Sequence, residues 1–361
     1  MGYRGRFPLQ NSFVWARLSA FGRQGKRKRL KWGMKVSPPF SLQAIRSAVS
    51  GPRAISGLMD RRTFLRGGLA TAGAMALYSG EGERHWIEIV SRSIVIANLP
   101  TAFEGLRIVQ VSDIHFEDFT EPFFLRHAIE RINALNPDVV ALTGDFVSLG
   151  FHGEQYVRRA TWACAELLGE LRCARRFGVL GNHDYAPGVH AVTEAMSSRG
   201  IQMLNNRAVS LELGGERIWF VGMIDPHMSN PQPELYMPSG YRSCDDEPVI
   251  FLAHSPDYAD ELRRRVGDRH IRLVLSGHTH GGQIVFPLVG PLHLPTNGKK
   301  YVHGHFQLGN MQLYVNRGLG AVGVPFRMNC PPEITVLTLT RAQAPHLPAH
   351  EAPEKGGRML L

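Results

Sequence analysis

Cysteine is scarce in this 361-residue chain: Cys164, Cys173, Cys244 and Cys330 stand apart, with no Cys-x-x-Cys pair among them. Four scattered thiols cannot frame a disulfide-dense fold and lack zinc-finger spacing, so all four read as ordinary thiols. No apolar run reaches the ~20 residues that a bilayer-spanning helix needs, and no internal repeat is present. Acidic residues are missing altogether from residues 1–59, which hold 12 Lys and Arg. That one-sided segment accounts for the whole net charge of +10, since the remainder carries 29 bases against 31 acids. A near-neutral remainder does not advertise a basic nucleic-acid channel, and no nucleic-acid partner is expected. With 43% hydrophobic residues the chain is able to bury a sizeable core.

Residues 1–58, rich in Arg, Ser, Gly and Pro and without apolar periodicity, read as a disordered basic arm. At Met59-Asp60-Arg61-Arg62-Thr63-Phe64-Leu65-Arg66, paired arginines lead into Phe-Leu and the mild apolar run from Gly67 to Tyr78. This resembles a twin-arginine export signal spanning 59–80, with Ala74-Met75-Ala76 as a small-x-small cleavage site. An ordinary amphipathic helix is the other reading. Met59 stands just before the arginines, so translation is expected to start there, with residues 1–58 an upstream extension of the reading frame. The twin-arginine export machinery is thus an expected partner. The protein is then exported, periplasmic or on the outer face of the cytoplasmic membrane, and membrane association is expected.

Periodicity organises the rest. After a polar break at 79–84, Trp86 to Ala97 alternates as a half-buried strand does, and Leu106 to Val111 is the next strand. Pro122 to Leu135 has helical spacing ended by Asn136-Pro137. Val139–Leu142 and Phe177–Leu180 are short apolar strands, with helices at Gln155–Leu171 and Val189–Ser198. Strands dominate afterwards: Ile201–Leu204, Leu211–Leu213, Ile218–Gly222, Val249–Leu252, Leu273–Leu275, Ile284–Phe286, Met311–Val315 and Ile334–Leu339. Alternation first and strands later predict two packed sheets with helices outside, a domain spanning 86–340, and a flexible tail at 341–361.

Five of these apolar runs end in polar tripeptides. Val109-Gln110-Val111 leads to Asp113 and His115. Val139–Leu142 leads to Gly144-Asp145, and Phe177–Leu180 to Gly181-Asn182-His183-Asp184. Ile250–Leu252 leads to His254, and Leu273–Leu275 to Gly277-His278-Thr279-His280. Ligands collect beyond the carboxyl ends of strands in α/β sheets. Carboxylates, neutral imidazoles and one carboxamide oxygen together suit Mn, Zn or Fe better than Ca or Cu(I).

This ordered set, Asp-x-His, Gly-Asp, Gly-Asn-His-Asp, His and Gly-His-x-His, resembles the calcineurin-like metallophosphoesterase superfamily. The resemblance extends over residues 86–340. Gly105–Asp113, Gly281-Gly282-Gln283 and Tyr314–Gly320 look like its bacterial exported or membrane-associated branch, some members of which act as UDP-diacylglucosamine pyrophosphatases. It implies a four-layer αββα sandwich and two divalent ions. One ion would be held by Asp113, His115, Asp145 and His280, the other by Asp145, Asn182, His254 and His278, with Asp145 bridging. It further implies that His183 protonates the leaving group while Asp184 orients and charges its imidazole.

The expected reaction is hydrolysis of a phosphodiester or pyrophosphate bond by a hydroxide bridging the two metals. The substrate would be a phosphorylated small molecule or lipid, with UDP-2,3-diacylglucosamine or a related lipid or nucleotide-sugar pyrophosphate foremost. A phosphodiesterase acting on nucleotides or other diesters, and a non-catalytic metal-binding scaffold, are the rival readings. Arg317 is a candidate phosphate clamp, with a surface ion pair as the alternative, and Tyr185 either lines the pocket or packs. His227 is disfavoured as a third-site ligand, and His293, His303 and His305 read as loop residues.

Overall fold

The computed structural model of the protein describes residues 60–116, 118–150, 153–239, 247–267 and 270–342. The basic arm, Cys244 and all but the first two residues of the expected tail lie outside the described residues. Asp60 caps α1 (Arg61–Leu77), its carboxylate accepting from the Thr63 amide at 2.7 Å. No residue of α1 is buried, and no described helix is long and apolar enough to cross a membrane.

The stretch expected as a polar break is packed instead. Ser79, Glu83 and Arg84 are buried. Arg84 donates to Phe119 O at 2.6 Å and to Glu121 at 2.8 Å, while Glu83 accepts from the Cys330 amide at 2.6 Å. The folded body therefore takes in residues ahead of Trp86.

The elements that follow are β1 (Glu88–Ile96), β2 (Arg107–Val111), α2 (Pro122–Ala134), β3 (Val139–Leu142), α3 (Glu154–Leu168), β4 (Arg176–Gly178), α4 (Val189–Ser198) and β5 (Gln202–Met203). The second half comprises β6 (Arg207–Leu213), β7 (Glu216–Gly222), β8 (Val249–Leu252), α5 (Ala259–Val266) and β9 (Ile271–Ser276). It closes with β10 (Val285–Phe286), β11 (Gly290–Pro291), β12 (Gly304–Leu308), β13 (Met311–Val315) and β14 (Glu333–Arg341). One sheet has the order β1-β14-β2-β3-β4-β5 and the other β12-β13-β9-β8-β7-β6.

Strand alternation sorts the apolar side chains into three cores. Val109 and Val111 of β2 face α2 and α3, meeting Phe124, Ala128 and Val157. Their neighbour Ile108 points the other way, into a core between the sheets with Val139, Phe177, Phe220, Leu252 and Leu273. On the far face of the second sheet, Phe251 and Val274 pack with Ala259 and Leu262 of α5. Helix, sheet, sheet and helix thus give the αββα sandwich expected from the sequence.

Three elements were not foreseen, the two-residue β11 among them. α5 buries only Ala259 and Leu262 and is otherwise charged, so it shows little apolar stripe. β12 contains His305, which had read as a loop residue; there its ring meets Gln312 Oε1 at 3.0 Å on the neighbouring β13.

Candidate metal centre

β2, β3 and β4 run parallel in the first sheet, and β7, β8, β9 and β13 run parallel in the second. Their carboxyl ends meet at one edge of the sandwich. Gln110 joins the two sheets there, donating from Nε2 to Ser276 O at 2.8 Å and to Thr143 Oγ1 at 3.1 Å. The turns beyond the strands are tied to one another by backbone bonds, including Asp113 N to Gly144 O at 2.9 Å, Gly277 N to His254 O at 3.0 Å and Gly320 N to Asp113 O at 2.7 Å.

These turns are strained. Asp113, His115, Asp145, His278 and His280 all have φ between 46° and 73°, a region that non-glycine residues seldom occupy. Each such residue costs about 1–3 kcal/mol and persists only where its surroundings dictate it. Apolar burial behind them, at ~1.5–3 kcal/mol for each large side chain, is of a size to offset that. The glycines of the motifs answer to close approach. A Cβ at Gly277 would run into Ser112 Oγ and Asp113 Oδ2, and one at Gly181 would run into Asp145 Oδ1.

Six of the seven candidate ligands fall into two clusters, and Asn182 lines the same cavity as Asp145, His278 and His280. Donor atoms of Asp113, His115 and His280 form one buried cluster, and those of Asp145, His254 and His278 another, each within 4.8 Å. Asp145 lies between them: its Oδ2 is 3.1 Å from His254 Nε2 and 3.6 Å from His115 Nε2. His115 Nε2 is 3.0 Å from His280 Nε2, and His280 Nε2 is 3.4 Å from Asp113 Oδ1.

Carbonyl oxygens can only accept, so they place a ring N–H on two histidines. His254 Nδ1–H donates to Thr143 O at 2.7 Å and His278 Nε2–H to Thr296 O at 2.7 Å, whereas His280 Nδ1 lies between Gly320 O at 3.3 Å and Arg327 Nη2 at 3.4 Å. A lone pair is then left on His278 Nδ1, 3.2 Å from His254 Nε2, which in turn lies 3.1 Å from Asp145 Oδ2. These acceptors call for a cation at His254 Nε2, which a proton or a metal ion supplies. Asn182 Oδ1 and His115 Nδ1 are buried with no hydrogen-bond partner, and a buried orphan of this kind calls for a reason. Converging lone pairs, buried carboxylates and an orphan carboxamide oxygen fit divalent cations, the borderline metals more than calcium.

The electrostatics agree with a cation site. Burial drives the His115 imidazole down to about 3, and burial with the neighbouring His254 drives His278 to about 4. Both are therefore neutral donors at neutral pH. Burial raises Asp113 to about 6. Burial also works against the Asp145 carboxylate, but the surrounding imidazoles, His254 first, hold it well below the usual range. His254 itself is lifted well above the ordinary imidazole value: burial opposes this, but the Asp145 charge and hydrogen bond together with the charges of Asp113 and Asp225 outweigh it.

A cavity of about 360 Å³ opens beside the clusters. Asp145, Asn182, His183, His278 and His280 line it together with the apolar Ile284, Leu292, Pro295, Val322 and Val324. His183 is half-buried, with its backbone N–H on Asp145 Oδ1 at 2.9 Å and its ring edge-on to His115 at 4.9 Å between centroids.

Three sequence expectations need revision. Asp184 does not orient the His183 imidazole. Its Oδ2 accepts from the amides of Asp145 (2.8 Å) and Gly181 (2.9 Å), and its Oδ1 from Phe146 (2.8 Å) and Val147 (3.3 Å). It is a brace binding the Asp145 turn to the Asn182 turn; burial and then the Asp145 charge raise its carboxyl, and those amides oppose the rise. Arg317 is no phosphate clamp. It bonds Glu333 and Glu88 (2.5 and 2.7 Å), the ion-pair alternative, and does not line the cavity. Tyr185 packs against the helix-side core, also off the cavity.

His227 lies near the site, its ring centroid 5.3 Å from that of His278, but outside both ligand clusters. His293, expected to be an unremarkable loop residue, lines the cavity.

Two supporting residues escaped the sequence reading. Arg327, 0% exposed, donates only to groups around the ligand turns, among them Cys330 O at 2.9 Å, Arg317 O at 2.9 Å and Gly318 O at 3.2 Å. Gln283 bonds the Val322–Val324 loop through Val322 O, Val324 O and the Val322 amide at 2.9–3.1 Å. It thereby fixes the apolar lining. Its place after Gly281-Gly282 was the available signal; Arg327 had none.

Known proteins give the same picture. The calcineurin-like phosphoesterase pattern matches residues 106–282. The metallophosphoesterase YkuE of Bacillus subtilis is 36% identical over 293 residues, 78% of this chain and 98% of its own. The phosphodiesterase YaeI of Escherichia coli is 32% identical over 78% of this chain and 100% of its own. The UDP-2,3-diacylglucosamine pyrophosphatase LpxG of Chlamydia trachomatis is 29% identical over 66% of this chain and 86% of its own.

Proposed function

Because the chain belongs to the calcineurin-like metallophosphoesterase family and is a hydrolase with two metal sites, we propose that it cleaves a phosphate diester or pyrophosphate bearing an apolar portion. A lipid-linked or nucleotide-sugar pyrophosphate such as UDP-2,3-diacylglucosamine is the foremost candidate. One observation carries this: metal-ligating side chains and the apolar Ile284, Leu292, Pro295, Val322 and Val324 line the same cavity. The substrate named for the chlamydial relative has that mixed chemistry.

In this reading Asp113, His115 and His280 hold one ion, Asn182, His254 and His278 hold the other, and Asp145 serves both. When bound, the two dications supply positive charge for the phosphoryl oxygens and bring the pKa of water toward neutrality. The protein's own part is to prepare that charge. Thr143 O and Thr296 O fix the His254 and His278 rings, Asp184 clamps the Asp145 turn, and the two-sheet core keeps the strained turns in place. His183, which lines the cavity, gives a proton to the departing oxygen.

Kinetics on a panel would test the substrate: UDP-diacylglucosamine, a UDP-sugar without acyl chains, and bis-p-nitrophenyl phosphate, each with Mn, Zn or Fe. The reading expects at least a tenfold preference in kcat/KM for the acylated pyrophosphate over its unacylated counterpart. Equal values would point to the general phosphodiesterase named for the Escherichia coli relative, and no turnover with any metal would leave a scaffold.

We also propose export by the twin-arginine route. Arg61 and Arg62 stand exposed in the first turn of α1. Cell fractionation should find the parent outside the cytoplasm and an Arg61→Lys, Arg62→Lys variant retained inside. Unchanged export of the variant would remove the idea.

A further inference from the structure

Residues 273–298 contain no Asp, Glu, Lys or Arg, and part of that stretch leaves the body as a hairpin. β10 and β11 pair Val285 with Pro291 and Phe286 with Gly290, which leaves Pro287-Leu288-Val289 as the tip. Leu288 is fully exposed, Val289 is 83% exposed and Leu292 67%, with Phe286 exposed beside them. Leu288 moreover has φ of 65°, which a bulky apolar residue rarely adopts. An unfavourable backbone and an unfavourable exposure fall on the same residue. Strain of this kind gathers at functional positions, and clustered exposed apolar side chains mark interaction sites.

The hairpin is rooted firmly. Val285 N donates to Met328 O at 2.9 Å, Leu292 N to Ile284 O at 2.8 Å and Asn329 Nδ2 to Val285 O at 2.8 Å. Its tip is a small uncharged projection. A stable protein partner needs about 800 Å² from each side, far more than a three-residue tip with two neighbours presents. Entry into the acyl boundary of a bilayer needs only a few apolar side chains, helped by a cation for anionic headgroups. Lys299 is exposed and follows Gly298, which packs against Thr279 and His278.

We infer that the β10–β11 hairpin is a membrane-docking wedge whose tip, Leu288 and Val289, enters the surface of an anionic bilayer. Leu292 belongs both to the hairpin region and to the cavity wall, so docking by the tip brings the cavity to the headgroup layer. This goes beyond the substrate reading and stands without it.

Co-sedimentation of the full chain with phosphatidylglycerol–phosphatidylcholine vesicles tests the wedge. The parent should bind, and the Leu288→Asp, Val289→Asp variant should bind at least tenfold more weakly. Its hydrolysis of bis-p-nitrophenyl phosphate without vesicles should equal the parent's, which shows the fold intact and reads catalysis separately. In a Leu288→Trp variant, bilayer-embedded bromolipid should quench the added indole emission, measured as the difference from the parent. Equal vesicle binding by parent and Asp variant would assign the contact elsewhere, for instance to exposed Phe64, Leu65 and Leu69 of α1, and overturn the proposal. So would absence of binding by the parent, an added indole signal that bromolipid leaves unquenched, or a parent dimer that the Asp variant dissolves.

Discussion

Replacing Asp184 by Asn separates two accounts of this residue. The carboxylate accepts four backbone N–H bonds, two at each oxygen. An asparagine keeps one oxygen, and its amide nitrogen then faces two N–H donors. Two buried amides stranded at ~1–3 kcal/mol each come to about 2–6 kcal/mol, a large part of the ~5–15 kcal/mol by which a folded protein is stable. At about 2 °C per kcal/mol for a chain of this size, the melting temperature should fall by roughly 4–12 °C. One stranded pair carries the Asp145 amide and the other the two amides following it, so the Asp145 turn should loosen whichever way the asparagine lies. Metal affinity should then fall by about 10–100-fold, the usual effect of removing a group that orients a ligand. Calorimetry with and without metal, alongside a metal titration, measures both effects. An Asp184→Asn protein with parental melting and affinity but impaired leaving-group protonation would refute the brace and restore the orienting role for Asp184.

Other perturbations bear on separate parts of the site. Asp145→Asn should bind fewer metal ions than the parent and lose several kcal/mol of transition-state stabilisation, at least roughly 10³-fold in kcat/KM; normal metal content by elemental analysis would contradict the shared-ligand role. His183→Ala should retain both ions and lose about 10²–10⁴-fold on alkyl esters, with a smaller loss on p-nitrophenyl esters, and equal losses on both in steady-state assays would remove the proton-donor role. Arg317→Ala leaves the buried Glu333 charge without its cation, so denaturant unfolding should show about 3–5 kcal/mol of destabilisation while KM for a soluble diester stays unchanged. A raised KM would return Arg317 to the binding site.

Much of this was legible in the sequence because the chemistry sits at strand ends. Asp113, His115, Asp145, Asn182, His254, His278 and His280 each follow a short apolar run, and parallel strands deliver their ends to one edge. Period-two alternation likewise marked β1, short apolar runs marked β2 and β3, and helical spacing marked α2. What stayed hidden depends on distant partners. Asp184 bonds amides 37–39 positions away, so its neighbour His183 was a misleading guide to its role. Arg327 bonds carbonyl oxygens, which every residue has, and no residue pattern announces that. Arg317 looked like a phosphate ligand until the fold placed Glu333 and Glu88 beside it. The edge strand β12 carries Gly304, His305 and Gln307 among its five residues and buries only Leu308, which gives periodicity little to detect.

The central claim is that Asp145 stands between two cations. Anomalous diffraction from manganese-loaded crystals tests it most directly. Two peaks about 3.5–4 Å apart, one beside Asp113, His115 and His280 and the other beside Asn182, His254 and His278, with the Asp145 carboxylate reaching both, is the predicted result. A single peak, or two peaks of which only one lies within bonding distance of Asp145, would contradict it.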